Sequence, residues 1–246
     1  MRRAIGFAFA LTLSLYACSG GETRQQPGAL PEEEPQRPCD TYTAVGLMRV
    51  SSVVARERPG DDAPAIARFP RINAQGAEQV FPILQDRYRD GHLWHEVMLP
   101  VRPNGTTGWI PANAVSLRRS DYRIEVNLDR YRLDLFERCD RLASYVIGIG
   151  TRDTPTPHGI FFLNSLLKPP QEGTVYGALA FGLSAYSDVI TDWEGGGIVG
   201  LHGTNDPSSL GGAVSYGCIR MKNRAIREIA RTVPLGTLVE IGGTGP

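Results

Sequence analysis

The residues best equipped for chemistry are His202 and Cys218, sixteen positions apart in the segment Ile198–Met221, IVGLHGTNDPSSLGGAVSYGCIRM. A thiol beside an imidazole is what nucleophilic acyl transfer needs. The imidazole takes the proton, the thiolate attacks a carbonyl, and the imidazolium returns the proton to the leaving amine. A paired histidine can also lower a cysteine pKa. The backbone N–H groups of Tyr216, Gly217 and Cys218 could point at the developing oxyanion, where losing one donor typically costs roughly 2.7–4 kcal/mol. A cysteine alone is more often a small buried hydrophobe, so the weight rests on the whole string around it.

That string needs a scaffold. An apolar strand, Ile198 to Leu201, leads into His202, and a Gly-rich loop leads to Ser215-Tyr216-Gly217-Cys218. Upstream, Tyr122–Leu128 and Tyr131–Phe136 alternate apolar and polar residues, Ala143–Gly150 reads as a third strand, and Ile160–Leu163 as a fourth after the turn TPTPHG. The expectation is a sheet of consecutive, antiparallel strands. One helix follows: Asn223 can cap it, and Ala225, Ile226, Ile229, Ala230 and Val233 recur at helical spacing until Pro234 and Gly236 end it. A last strand, Thr237–Ile241, closes the chain.

The string resembles the signature of the L,D-transpeptidase (YkuD-like) catalytic domain, residue by residue at His202, Gly203, Thr204, Ser215, Gly217, Cys218, Ile219, Arg220 and Met221. Thr156-Pro157-His158-Gly159 resembles the Thr-Pro-x-Gly turn of the same family, and the likeness runs from about Asp121 to Gly242. Tyr216 departs from it, standing where the family very often has His. The resemblance implies an enzyme that cross-links bacterial peptidoglycan. Cys218 would attack the third residue of a stem tetrapeptide and expel the terminal D-Ala. A side-chain amine of a neighbouring stem would then take the acyl group, giving a third-to-third cross-link. By the same carry-over His202 is the base, the Gly203 carbonyl orients its ring, and Ser215, Tyr216 and Gly217 shape the oxyanion site. Arg220 would brace the loop or meet a substrate carboxylate. Thr204, Asn205 and the lid residue Tyr176 are expected substrate contacts. No metal or organic cofactor is implied, and carbapenem acylation of Cys218 is. Two rivals stay open: water as acceptor, giving an L,D-carboxypeptidase or endopeptidase, and a non-catalytic cell-wall-binding protein.

The first half of the chain reads differently. From Tyr42 to Leu117, short apolar pieces such as VGLMRV, QVFPIL and GWIPANAV alternate with turn-rich ones such as ERPGDDAP and RPNGTTG. The stretch resembles a bacterial SH3-like domain in Val54-Ala55-Arg56-Glu57-Arg58-Pro59, Trp94 and Gly108-Trp109-Ile110. The expected fold is therefore mostly β: an SH3-like β-barrel over 43–118, then a β-rich L,D-transpeptidase domain over 120–242 with few helices. Trp94 and Trp109 are expected in the barrel core. His92 and His95 are expected in surface or strand packing, and the four histidines do not space as a zinc site.

The chain opens with Arg2, Arg3 and an apolar run from Ala4 to Ala17, the size of a signal-peptide core. Leu15-Tyr16-Ala17-Cys18 resembles a lipobox, which implies export and a lipid on Cys18 at the outer face of the cell membrane. Residues 19–42, rich in Gly, Pro, Glu and Gln, read as a tether. With 26 Lys+Arg against 26 Asp+Glu, the balance excludes a protein built on a broad basic face for nucleic acid. The basic run Arg220, Lys222, Arg224, Arg227 and Arg231 reads as a solvated helix face or as an attraction for cell-wall carboxylates. Cys39 and Cys139 either pair, docking the tether on the second domain, or remain free thiols.

Overall fold

Alternation of buried and exposed residues organises the chain into strands, and the computed structural model describes them over residues 42–169, 173–191 and 196–246. The export segment with Cys18 and most of the tether with Cys39 lie outside the described residues. The first seven strands are β1 (Thr43–Met48), β2 (Ser52–Arg56), β3 (Ala65–Pro70), β4 (Val80–Arg89), β5 (His92–Met98), β6 (Thr107–Pro111) and β7 (Val115–Ser120). They form one sheet in the order β3-β2-β6-β5-β4-β1-β7. Phe69, Phe81, Val97 and Ile110 fill its core, with Phe69 and Phe81 edge-to-face at 5.2 Å. Trp94 and Trp109 are buried on strands β5 and β6 of the same sheet. His95 is buried with its Nδ1 2.6 Å from Asp86 Oδ1.

The second half contributes β8 (Tyr122–Asn127), β9 (Arg132–Glu137), β10 (Asp140–Val146), β11 (Ile149–Gly150), β12 (Gly159–Leu167), β13 (Ala180–Tyr186), β14 (Ile198–His202), β15 (Ala213–Ser215), β16 (Ile219–Arg220), α1 (Asn223–Thr232) and β17 (Leu238–Gly242). Eight of these strands make a sheet in the order β10-β9-β8-β17-β12-β13-β14-β16, and β11 pairs with β15. The expectation of consecutive antiparallel strands needs correction here. The chain's last strand, β17, lies at the sheet's centre, parallel to β8 and antiparallel to β12. A parallel pair needs a crossover, and α1 provides the one that returns the chain from β16 at the edge to β17. The strand expected over 143–150 is also broken. At Gly148 the chain leaves β10 and exchanges both backbone hydrogen bonds with Arg220.

Asn223 does not cap α1. Lys222 holds the cap position without a side-chain bond, and Asn223 turns its Oδ1 to the Ala178 N–H instead, 2.9 Å away. Ala225, Ile226 and Ile229 press α1 into a core shared with Phe161, Leu163 and Leu201.

The run Ile160-Phe161-Phe162-Leu163 suits a strand covered on both faces. Phe161 and Leu163 face the α1 side, whereas Phe162 packs with Val45, Val80, Met98 and Leu238. The two sheets therefore share apolar core. Polar contacts add to the seam: Ser120 Oγ and Thr237 Oγ1 lie 2.8 Å apart, Arg118 Nη2 donates to Leu235 O at 2.6 Å, and Asn73 Nδ2 donates to Asn164 O at 3.1 Å. The described residues belong to one compact unit.

Candidate active site

β14 and β16 run parallel and side by side, with His202 opposite Arg220. That pairing brings His202, at the end of β14, next to the turn that carries Cys218, so a sixteen-residue separation closes into one site. Gly200, two residues before His202, faces the sulfur: its N–H points at Cys218 Sγ from 3.3 Å. A Cβ at Gly200 would touch His202 Cδ2 at 3.4 Å and Cys218 Sγ at 3.6 Å. The imidazole edge and the thiol thus flank one space that a side chain would fill. Nothing singled Gly200 out beforehand except its type, since an isolated glycine in an apolar strand often marks a close approach.

The ring's orientation follows from one bond. His202 Nδ1 lies 2.6 Å from Gly203 O. A carbonyl can only accept, so Nδ1 carries the proton and Nε2 is left with its lone pair. Burial also pushes the His202 pKa down to about 4, with the Arg220 charge adding to it against the Gly203 bond. Cys218 is the described free cysteine, and burial pushes its pKa up, against the smaller pull of the Gly200 N–H and the Arg220 charge. The environment therefore opposes a resting thiolate–imidazolium pair, contrary to the expected lowering of the thiol by its histidine. Both shifts favour the neutral thiol and the neutral imidazole.

The turn 215–218 is held from several sides. Ser215 Oγ donates to Cys218 O at 2.5 Å and accepts from the Gly217 N–H at 3.2 Å. That commits the Gly217 N–H internally, leaving the Tyr216 and Cys218 amides of the three named from sequence. Gly217 takes φ +106°, a left-handed conformation that glycine adopts without strain. Buried Thr156 donates to Gly217 O at 2.9 Å and accepts from the Gly150 N–H, also at 2.9 Å. So the Thr-Pro-x-Gly turn braces the cysteine turn, a role for Thr156 that sequence reasoning had not assigned. Tyr216 is exposed. Arg220 braces the loop through its backbone, and its Nε is buried with no hydrogen-bond partner among the described residues.

Above His202 sits Tyr176, its ring edge-on at 5.1 Å. The segment bearing it is anchored by Asn223, whose Oδ1 lies where a Cβ on Gly177 or Gly203 would be, at 2.2 and 2.1 Å. Asn205 Nδ2 donates to Gly173 O at 3.0 Å, tying the loop after His202 to the same segment. A cleft of about 200 Å³ opens there, lined by Gly173, Gly177, Ala178, Asn205, Asn223 and Arg227. Thr204 is buried and turned inward, accepting from the Asp206 N–H at 3.0 Å. Cys139 occupies the β9–β10 turn and is disulfide-bonded; its partner lies outside the described residues.

The model of the L,D-transpeptidase catalytic domain of the YkuD family matches residues 121–241. YkuD of Bacillus subtilis (strain 168) is 33% identical over 184 residues, 75% of this chain and 95% of that protein. The chain belongs to the YkuD family of L,D-transpeptidases. YkuD of Bacillus licheniformis is 42% identical over 120 residues; the match spans 49% of this chain and 65%, just under two thirds, of that relative. A solved structure from Bdellovibrio bacteriovorus is 30% identical, covers 50% of this chain and 48% of its own, and has a TM-score of 0.41. The His202–Cys218 site falls inside the matched residues.

Proposed function

We propose that this YkuD-family chain is a peptidoglycan L,D-transpeptidase with Cys218 as nucleophile. The observation that carries the reading is the tautomer. With Nδ1 tied to Gly203 O, His202 keeps an unprotonated Nε2 as proton acceptor, and the Cδ2 beside it flanks the same small space as the thiol. Because both groups rest neutral, the proton moves as the bond forms: Nε2 takes it while Sγ attacks the carbonyl of the third stem residue. The Cys218 and Tyr216 amides receive the oxyanion, and Ser215 and Gly217 hold their turn in shape. The imidazolium protonates the departing D-Ala amine, leaving a thioester. A side-chain amine of a second stem then attacks the thioester carbonyl and loses its proton to Nε2; the C–S bond breaks, the Cys218 sulfur takes that proton back, and the third-to-third cross-link is left. We assign Tyr176 and Asn205 as substrate contacts; buried Thr204 shapes the loop after His202, and Arg220 braces the cysteine turn through its backbone.

The rest of the reading concerns placement. We assign residues 43–118 to the SH3-like class, Cys18 to a lipid anchor, 19–42 to a tether and Cys39 as the partner of Cys139. The enzyme then works at the outer face of the cell membrane on peptidoglycan stem peptides. Among the described residues no helix is long and apolar enough to cross a membrane.

The test incubates a fragment from Cys39 onward, and its Cys218→Ala variant, with disaccharide-tetrapeptide, and reads products by mass spectrometry. A cross-linked dimer made only by the wild type is expected. Tripeptide without dimer would convert the reading to a carboxypeptidase, and unchanged substrate would overturn it.

A further inference from the structure

The strand that carries His202 is not held by its own sheet alone. β13 and β14 pair regularly at Ala180↔His202, Phe181↔Leu201 and Gly182↔Gly200, then lose register before Tyr186↔Ile198. The slip falls beside Gly200, the residue whose N–H must meet Cys218 Sγ. A ladder interrupted there fixes the strand's entry weakly, because a shift of register moves every side chain and amide with it.

The entry is instead held by the first sheet. The turn between β5 and β6 reaches across to the end of β13 and to residues 187–190 and 196, which lie between β13 and β14. Arg102 Nη1 donates to Ser187 O at 2.8 Å, and Nη2 to Gly196 O at 2.9 Å and Ile190 O at 3.4 Å. Its guanidinium also lies over the Tyr186 ring, 4.9 Å from the centroid. Asn104 pairs with the Tyr186 backbone as a strand would, giving Nδ2 to its carbonyl at 2.8 Å and accepting its N–H at 2.9 Å. The Tyr186 hydroxyl returns a bond to Pro100 O at 2.8 Å. Ser187 N–H then closes the connection on Gly197 O at 2.8 Å, and Gly200 stands three residues further on.

We propose that Arg102 and Asn104 are positioning residues of the active site: a clamp from the first sheet that sets the register of β14 and so the approach of Gly200 and His202 to Cys218. The first sheet is then a working part of the catalytic fold, whatever else it binds. A planar fork with several donors can hold carbonyls at once, which a lysine's single ammonium does poorly. The proposal deepens the transpeptidase reading and rests on it only where acylation is the readout.

The test uses the full-length chain in detergent, its Arg102→Ala/Asn104→Ala variant, and Arg102→Lys, each shown folded at the assay temperature by circular dichroism. Carbapenem acylation of Cys218, followed by intact mass, gives a limiting rate and a half-saturating concentration. Misplacing reacting groups by about an ångström can cost roughly a hundredfold in rate, so the double variant should lose at least about tenfold in limiting rate with little change in half-saturation. Arg102→Lys should recover less than half of that loss. A merely structural seam would lower the melting temperature and leave the limiting rate of the folded enzyme intact; that result, or full rescue by Arg102→Lys, overturns the clamp. Hydrogen exchange of residues 198–202 reads the same register without substrate. Faster exchange in the double variant is expected, and unchanged protection overturns the proposal even if the wild type were inert to carbapenem, an inertness that would count against the function alone.

Discussion

The Gly200 amide points at the sulfur of Cys218 from 3.3 Å, and the place its missing side chain would take touches both that sulfur and the His202 ring. An edge of imidazole and a thiol therefore share one small space, with room at Gly200 for a methyl and little more.

Graded substitution at Gly200 should show this. A methyl there makes ordinary contacts at 3.4–3.6 Å, so Gly200→Ala should acylate within about threefold of wild type. The branched carbons of Gly200→Val must displace the ring or the sulfur, and roughly a hundredfold loss is expected. Intact-mass kinetics with a carbapenem measure both. Equal rates for the two variants would contradict the geometry.

Acid should unfold the protein through His202. Its pKa is about 4 when folded against an ordinary 6.5. The unfolded chain therefore binds the extra proton first. Above pH 6.5 neither state is protonated and nothing is lost. Between 6.5 and 4 stability falls with pH, by roughly 3 kcal/mol in all, and the loss levels off below the folded value. Urea titrations from pH 7 to 4 should show this slope reduced in His202→Asn.

Activity should follow the folded value instead. A base that stays neutral down to about pH 4 keeps its lone pair, so the acylation rate should have no acid limb near 6.5. On the alkaline side the raised Cys218 pKa places any gain from pre-formed thiolate above the ordinary thiol range. Stopped-flow acylation across pH 4.5–10 tests both limbs. A fall centred near 6.5 would mean the ring is not buried as described.

Thr156 should matter more than its distance from the sulfur suggests. Thr156→Val keeps the shape but strands the Gly150 N–H and the Gly217 carbonyl, both bonded to its hydroxyl at 2.9 Å. Each unpaired buried group costs roughly 1–3 kcal/mol. Chemical denaturation should register that loss, and acylation should slow as the 215–218 turn loosens.

Asn223→Ala should separate binding from chemistry. Its amide oxygen anchors the Ala178 N–H beneath the Tyr176 segment and touches neither His202 nor Cys218. Half-saturation by stem peptide should rise severalfold while the limiting acylation rate holds. Asn223→Asp, which keeps the acceptor, should restore much of the binding.

A thiol titration of the denatured, unreduced fragment from Cys39 onward should find one thiol, Cys218. Three would exclude the Cys39–Cys139 bridge.

Much was legible in the chain itself. His202, Cys218 and the Gly-rich turn are close in sequence and carry their chemistry in their residue types. Strands β8 and β9 and the apolar stripe of α1 obey periods of two and of 3.6, which composition cannot hide. Trp94 and Trp109 are large apolar groups that a small sheet must bury. Long-range pairings were not legible. That β17 would lie at the centre of the sheet, parallel to β8, depends on α1 crossing over and on what covers Phe162, and neither leaves a local pattern.

The same division holds at the site. Sequence pointed to the proposed nucleophile and base, and local geometry supplied the bond from Nδ1 to Gly203 O. Only the tertiary structure decided the protonation state, because burial is a property of the whole fold. It drove His202 down and Cys218 up where pairing alone would have done the reverse. Only the tertiary structure, too, turned Asn223 from a helix cap into an anchor of the 176–178 segment, since Ala178 reaches it from 45 residues away. Residue types fix what the groups can do; packing fixes which charge they carry and which neighbour they meet.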